Sequence, residues 1–339
     1  MNSPNIGVLG ATGVVGQEIL KILEERNFPF NSIKFLASAR SAGKTIEFKG
    51  QTYIIEEAKP EAFKGLEIVL ASAGGATSKA FSADIVKSGA VMVDNSSVYR
   101  MDPDVPLVIA GVNDDDLRKH KGIIANPNCS TSQLMLPLKP LNDYGKIKRM
   151  IVSTYQSVSG AGKDAIDDLI EGTKAYLNNE NYKPKKFKDY PITFNLIPHI
   201  DSFVDYDYTK EEMKVVNESR KILHLSEDVK ISCTAVRVPV HTSHSEAVSI
   251  EFEKEITPEK AREILSSAYG VEVVDEPANL KYPTPVAAAG KDPVYVGRIR
   301  KELALENGLA MWVVADNLRI GAALNTVRIA EKLVEMNLV

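Results

Sequence analysis

The chain has 339 residues, 44% hydrophobic and 25% charged, enough apolar material for a sizeable core and, at this length, for two domains more readily than one. Lys and Arg total 41 against 45 Asp and Glu, and the resulting formal charge of −4 supplies no polyanion-binding surface, so nucleic acid is not an expected partner. Two cysteines give neither a disulfide framework nor a cysteine zinc site; no apolar run approaches a membrane span, and the N-terminus lacks a secretory signal, so a soluble, cytoplasmic protein with no membrane partner and no metal is expected.

Short apolar runs at 5–9, 33–37, 67–71, 91–93, 107–110 and 123–125 carry little alternation, the pattern of strands buried on both faces of a parallel sheet. Between the first two, Val15, Ile19, Ile22 and Leu23 form one helical stripe. Strand and helix signals in alternation predict a Rossmann-like, doubly wound α/β domain. The first strand-to-helix turn reads Gly10-Ala11-Thr12-Gly13-Val14-Val15-Gly16, a GxxGxxG rather than a GxGxxG pattern. Its glycines let the backbone approach a pyrophosphate at a helix N-terminus, which makes Gly10, Thr12, Gly13, Val14 and Val15 candidate cofactor contacts. After the second strand come Ser38, Arg40, Ser41 and Lys44, with no acid from 27 to 45 to hold a ribose 2′-OH. Two cations and two hydroxyls suit a 2′-phosphate, so NADP is expected over NAD.

The sixth run leads into Asn126-Pro127-Asn128-Cys129-Ser130-Thr131, which places Cys129 near the head of a helix, where the dipole favours a thiolate nucleophile. Pro137 and Pro140 are expected to kink this helix or end it early. A proton-handling partner is needed, and the segment around Arg237, His241 and His244 offers one in a connection between strands; periodicity does not choose between the two histidines. The basic run at 183–188 reads as a solvated loop. Longer strand-like runs at 150–157, 229–240, 247–253, 294–300 and 309–315 suggest a mixed-sheet α+β domain. The division predicted is 1–128 with the last helix, 320–339, as a nucleotide domain, and 129–319 as a catalytic domain. Cys233 is assigned to core packing.

Taken together, GATGVVG, SARSAGK, NPNCST, RVPVHTSHSEA and VVADNLRIGAALNT, in order from 6 to 326, resemble the aspartate-β-semialdehyde dehydrogenase family. The resemblance implies an NADP-dependent reductive dephosphorylation of L-aspartyl 4-phosphate to L-aspartate 4-semialdehyde, through a thioester on Cys129, toward lysine, threonine, methionine and diaminopimelate. It implies His244 as acid/base, Gln156 and Glu211 orienting the substrate, and Arg237 clamping its α-carboxylate. Arg100 and Lys214 correspond to a phosphate site, and Ser159, Gly160 and Asn317 to further cofactor contacts. A homodimer formed through the outer face of the second domain's sheet also follows from the family. Rivals are an N-acetyl-γ-glutamyl-phosphate reductase, which tends to follow its cysteine with Tyr-Pro rather than Ser130-Thr131, a CoA-thioester reductase, and an NADP-binding redox sensor.

Overall fold

The computed structural model describes residues 3–339, and the chain divides into two compact units, Met1–Pro127 with Ala322–Val339, and Asn128–Gly321. In the first unit the strands are β1 (Asn5–Leu9), β2 (Ser32–Ala37), β3 (Thr45–Phe48), β4 (Gln51–Ile54), β5 (Glu56–Glu57), β6 (Ile68–Ala71), β7 (Val91–Asp94) and β8 (Ile123–Ala125). All but β3 and β4 join one parallel sheet in the order β5-β2-β1-β6-β7-β8. Helix α1 (Val14–Glu25) buries Ile19, Ile22 and Leu23, and α2 (Gly75–Lys87) follows β6. β3 and β4 form a separate hairpin that hydrophobic periodicity did not announce. Its turn residues, Lys49 and Gly50, both have positive φ, as a two-residue hairpin turn of the favoured hand requires.

Residues 107–110 do not form the strand expected of them. They make a single bridge, Leu107 to Ala125, because two asparagine side chains take the backbone groups that a neighbouring strand would use. Asn113 accepts from the Ile109 N–H (3.0 Å) and donates to the Leu107 carbonyl (2.9 Å). Asn325 accepts from Ala110 N–H (3.0 Å) and donates to the Val108 carbonyl (2.9 Å). The buried backbone is satisfied without a ladder, and an apolar run alone cannot distinguish the two solutions.

The second unit is built on a mixed sheet, β10-β9-β11-β14-β13-β12, of β9 (Ile147–Gln156), β10 (Lys230–Arg237), β11 (His244–Phe252), β12 (Val271–Val273), β13 (Val294–Lys301) and β14 (Gly308–Ala315). The outer pairs are parallel and the three inner ones antiparallel. Its helices are α3 (Cys129–Gly145), α4 (Lys163–Asn178), α5 (Lys210–Leu223), α6 (Pro258–Ser266) and α7 (Pro285–Ala288). α3 continues through Pro137 and Pro140 to Gly145 rather than ending early. Each proline costs about 3 kcal/mol in a helix interior, but Leu134, Met135, Leu136, Leu138 and Leu141 are fully buried between the sheet and α5 and α6, and that packing decides the outcome. A π-helical turn, Arg319–Ala323, precedes α8 (Leu324–Glu335), which packs on α1, β6 and β7 of the first unit and is tied to Arg26 through Glu331 (2.7 and 2.8 Å).

Candidate active site

Cys129 is the first residue of α3 and is partly exposed. Asn128 caps the helix by accepting from the Ser130 N–H, leaving the end of the helix dipole beneath the sulfur. His244 begins β11 rather than lying in a connection, and its Nε2 is 3.3 Å from Cys129 Sγ, whereas His241 is exposed and bonded to Thr242. Sheet register sets the histidine's neighbours. Arg237 pairs with Gln156 across β10 and β9, and Ser245 pairs with Tyr155, so Arg237, Gln156 and His244 share one rung of three adjacent strands. The choice of histidine is thus made by pairing that sequence spacing does not reveal.

The imidazole is fully buried. Its Nδ1 accepts from the Ser157 backbone N–H (3.1 Å), which leaves the ring hydrogen on Nε2, directed at the sulfur. Burial, and then the Arg237 charge, push the His244 pKa down to about 3, so the ring is neutral at physiological pH. Ser157 itself is held by Asn317, whose side-chain oxygen accepts from Ser157 Oγ (3.1 Å), Ser159 Oγ (3.1 Å) and the Ser243 N–H (2.9 Å). Asn317 is therefore a buried structural hub, whatever else it touches. Gly160 lies over this group: a Cβ there would stand 3.1 Å from His244 Cε1 and 3.4 Å from Arg237 Nη1. Gly321 is closer still to Cys129, since its Cβ would stand 2.6 Å from Cys129 Cβ.

Glu211, on the first turn of α5, accepts from Gln156 Nε2, Asn128 Nδ2 and Lys214 Nζ, each at 3.0 Å. Burial alone would push its carboxyl up; Lys214 and these donors outweigh it and hold the group ionised, below its ordinary value. The i,i+3 pair Glu211–Lys214 is therefore buried on the carboxylate side and not a surface pair, with Asp201 (2.9 Å) as the second partner of Lys214. Arg237 is buried too and donates to the Ser157 carbonyl (2.7 Å). Arg100, in the first unit, is buried and donates to the carbonyls of Asn126 (2.9 Å) and Asn95 (3.0 Å).

The 183–188 segment is a loop with its four lysines exposed, as expected, but it is anchored from beneath. The buried Asp168 of α4 accepts from the N–H groups of Lys185 (2.7 Å), Lys186 and Phe187 (both 2.8 Å) and from the Tyr182 hydroxyl (2.9 Å). Phe187 packs against a cluster containing Val158 and Ile197. So anchored, Lys186 and Lys188 line a cavity of about 200 Å³ together with Arg237, His199 and Asp201. The basic run gave a charge signal, but the anchoring carboxylate lies more than a dozen residues upstream and carries no local cue. Cys233 is buried in β10, where desolvation pushes its thiol well up, consistent with a packing role.

In the first unit a second cavity, of about 440 Å³, opens at the carboxyl ends of β1, β2 and β6, where the strand order reverses, and is lined by Gly10, Thr12, Gly13, Ser38 and Ser72. Gly10 has φ +88°, and a Cβ there would meet the Ala73 backbone nitrogen at 2.9 Å; one at Gly16 would collide with the Gly10 carbonyl. α1 begins at Val14 with no side-chain cap, so its first N–H groups are available to an anion. Val14 is exposed and Val15 half-buried beside it. Arg40 and Ser41 follow the β2 end, and the Arg40 guanidinium is exposed with no hydrogen bond or ion pair to a described residue. Register brings one acid to this end of the sheet that the local sequence did not show, Glu57 beside Ala37, and Lys59 pairs with it (2.8 Å). A dinucleotide phosphate fits this glycine cradle. Among the described residues no group of three or more His, Cys, Asp or Glu is arranged to hold a metal, and no helix is long and apolar enough to cross a membrane.

Residues 5–120 match the NAD binding domain of semialdehyde dehydrogenases, and residues 138–320 match their dimerisation domain. The chain is 54% identical over 338 residues to the aspartate-semialdehyde dehydrogenase of Aquifex aeolicus (strain VF5), covering 98% of this chain and 99% of that one, and 48% identical over 342 residues to that of Bacillus subtilis (strain 168), covering 99% of each. Among solved structures it is similar to Vibrio cholerae aspartate semialdehyde dehydrogenase II complexed with ASA (TM-score 0.95, 42% identity, 99% of both chains). It is also similar to the Candida albicans enzyme with NADP (TM-score 0.77, 26% identity, 100% of both chains).

Proposed function

The chain belongs to the aspartate-semialdehyde dehydrogenase family, and from that premise we propose that it uses NADP to interconvert L-aspartyl 4-phosphate and L-aspartate 4-semialdehyde through a thioester on Cys129. The observation that carries the reading is the Cys129 Sγ to His244 Nε2 approach of 3.3 Å at a helix head, with an amide, a carboxylate and a guanidinium close by. The thiolate attacks the acyl carbon, the C–S bond forms and the C–O bond to phosphate breaks. A bound nicotinamide supplies the hydride for the thioester carbonyl. Cys129 then leaves again as the thiolate that began the cycle.

His244 has a definite task in this scheme. With its hydrogen on Nε2 and a backbone donor at Nδ1, the neutral ring donates a hydrogen bond toward the sulfur and toward charge developing on the adjacent carbonyl oxygen. Arg237 supports the reading as a clamp for the substrate α-carboxylate, and ionised Glu211 as the counter-charge to its α-ammonium, with Gln156 fixing Glu211 and facing the substrate. Arg100 and Lys214 are proposed to bind the phosphate. Gly10, Thr12, Gly13, Val14, Val15, Ser38, Arg40 and Ser41 would hold the adenosine and pyrophosphate of NADP, with Ser159, Gly160 and Asn317 nearer the nicotinamide. A second copy of the chain is proposed to cover the outer face of the mixed sheet, where Ile151 and Tyr155 are exposed and Tyr155 packs on Trp312. The products would feed lysine, threonine, methionine and diaminopimelate synthesis in the cytoplasm.

The test is phosphate-dependent reduction of NADP or NAD by purified protein with L-aspartate 4-semialdehyde. Turnover with NADP and this aldehyde supports the proposal. Turnover only with N-acetylglutamate semialdehyde, or only with CoA in place of phosphate, replaces it with the corresponding rival.

A further inference from the structure

One rung below the catalytic pair lies a second pair that the reaction does not use. Along β11, His244 and Glu246 face the same side of the sheet, two residues apart, and Glu246 pairs with Thr154 and Val313 on the flanking strands. Along α3, Gln133 lies one helical turn after Cys129 and donates its Nε2 to the His244 backbone carbonyl (3.4 Å). Gln133 is thus to Cys129 what Glu246 is to His244, a layer deeper. Both are fully buried.

The hydrogen-bond count at this rung does not close if Glu246 is ionised. Both of its carboxylate oxygens, and the Gln133 side-chain oxygen, are buried and make no hydrogen bond to a described residue. Turning the Gln133 amide over would set its oxygen against the His244 carbonyl, so the amide orientation is fixed. The groups bearing on Glu246 from the packed elements are Gln133 of α3 and Cys233 of β10, with Glu212 and Glu211 of α5 beyond Cys233; none is a cation. Glu212 is itself occupied by the Ala235 and Thr209 N–H groups. The Gln133 amide is the side chain within hydrogen-bonding reach of Glu246, and with its N–H turned to the His244 carbonyl the carboxylate and the amide oxygen are left one hydrogen short.

We propose that Glu246 is carried as a neutral carboxylic acid whose O–H donates to Gln133, forming an acid–amide bridge from β11 to α3 that positions the His244 main chain and keeps the ground beneath the Cys129 thiolate free of a second negative charge. Burial raises the Glu246 carboxyl well above its ordinary value, in keeping with this. Glu246 is a positioning residue, acting through Gln133. Its protonation state stands independently of the thioester reading, and only the consequence for Cys129 rests on it.

Two measurements decide the matter on the full-length protein. The infrared spectrum of wild type minus Glu246→Gln should show the carbonyl stretch of a protonated carboxyl from about pH 6 to about pH 9; no such band in folded wild type overturns the proposal. The pH midpoint for alkylation of Cys129 by iodoacetamide should be the same in wild type and Glu246→Gln, because both carry a neutral group there. A fall of about one unit or more in the variant would mean that an anion had been removed, and refutes it. Glu246→Leu should lower kcat at least tenfold with KM little moved, and Glu246→Gln should restore most of it; equal damage in both overturns the bridge. If Glu246→Leu does not fold, the infrared and alkylation results stand alone, and a failure of turnover in every protein with the band intact would count against the proposed reaction and not against the bridge.

Discussion

Asn128 joins the helix headed by Cys129 to the buried Glu211 carboxylate beside it, and Asn128→Asp separates these two duties. The aspartate keeps the cap on the Ser130 N–H, so α3 should still start at Cys129. What changes is the contact with Glu211, where an N–H donor becomes a second carboxylate oxygen at the same 3.0 Å; with an effective dielectric of about 20 the repulsion is about 5 kcal/mol, or roughly four pKa units. The two carboxyls will share a proton well above the ordinary carboxylate range, as one coupled pair. The sign follows: the folded state of the variant binds a proton that the unfolded chain releases near pH 4, so the added penalty is absent in acid and grows as the pH rises toward about 8. Thermal unfolding of wild type, Asn128→Asp and Asn128→Ala from about pH 5 to about pH 9 measures this, at about 2–4 °C per kcal/mol. Asn128→Ala loses the cap and one donor to a charged group, a pH-independent cost of about 2–4 kcal/mol. If the melting difference between Asn128→Asp and wild type is flat with pH, the two carboxyls are not in contact and the geometry drawn around Glu211 is wrong.

Replacing His244 with Asn should lower kcat about 10²- to 10⁴-fold. Because the folded His244 pKa lies near 3, below that of the unfolded chain, wild-type stability should fall as pH drops from about 6.5 toward 3, and the variant should lose that part of the acid sensitivity, as urea titrations at stepped pH would show. Arg40→Ala should raise KM for NADP about ten- to a hundredfold and leave KM for NAD nearly unmoved; parallel changes would remove Arg40 from the 2′-phosphate site. Asp168→Ala should free the 182–187 segment, so that trypsin cuts after Lys185 or Lys186 in the native protein and substrate KM rises while cofactor KM does not. Resistance equal to wild type would show that Phe187 alone anchors the loop.

Five of the six apolar runs of the first unit are strands of its sheet, because a strand covered on both faces needs apolar residues at every position, whereas the sixth strand, β5, is a two-residue, half-exposed edge pair of glutamates with no such signal. The sixth run failed because Asn113 and Asn325 satisfy its backbone from outside, one of them from more than two hundred residues away in sequence. The prolines of α3 misled for a related reason: local propensity was weighed without the buried leucines whose packing outvotes it. At the site, residue types and local order were legible around Cys129, yet nothing in the spacing put His244 ahead of His241; that choice lies in a β11–β9 register set by strands far apart in the chain. Asp168, Ser157 and Asn317 were missed or only partly read, since each works by holding a neighbour's backbone or side chain and leaves no motif of its own.

The hydrogen bond from the Ser157 main chain to His244 has a consequence for how this protein can be dissected and how it can change. The group that dictates where the imidazole keeps its hydrogen is a peptide N–H, common to every amino acid but one. An alanine at position 157 keeps that N–H, so a scan by alanine would record only the hydroxyl and pass over the instruction in silence. Two layers of constraint therefore meet at one residue: burial and the bond to Asn317 restrict its side chain, while the ring's tautomer depends on the main chain alone and is lost only to proline or to a shift of the backbone.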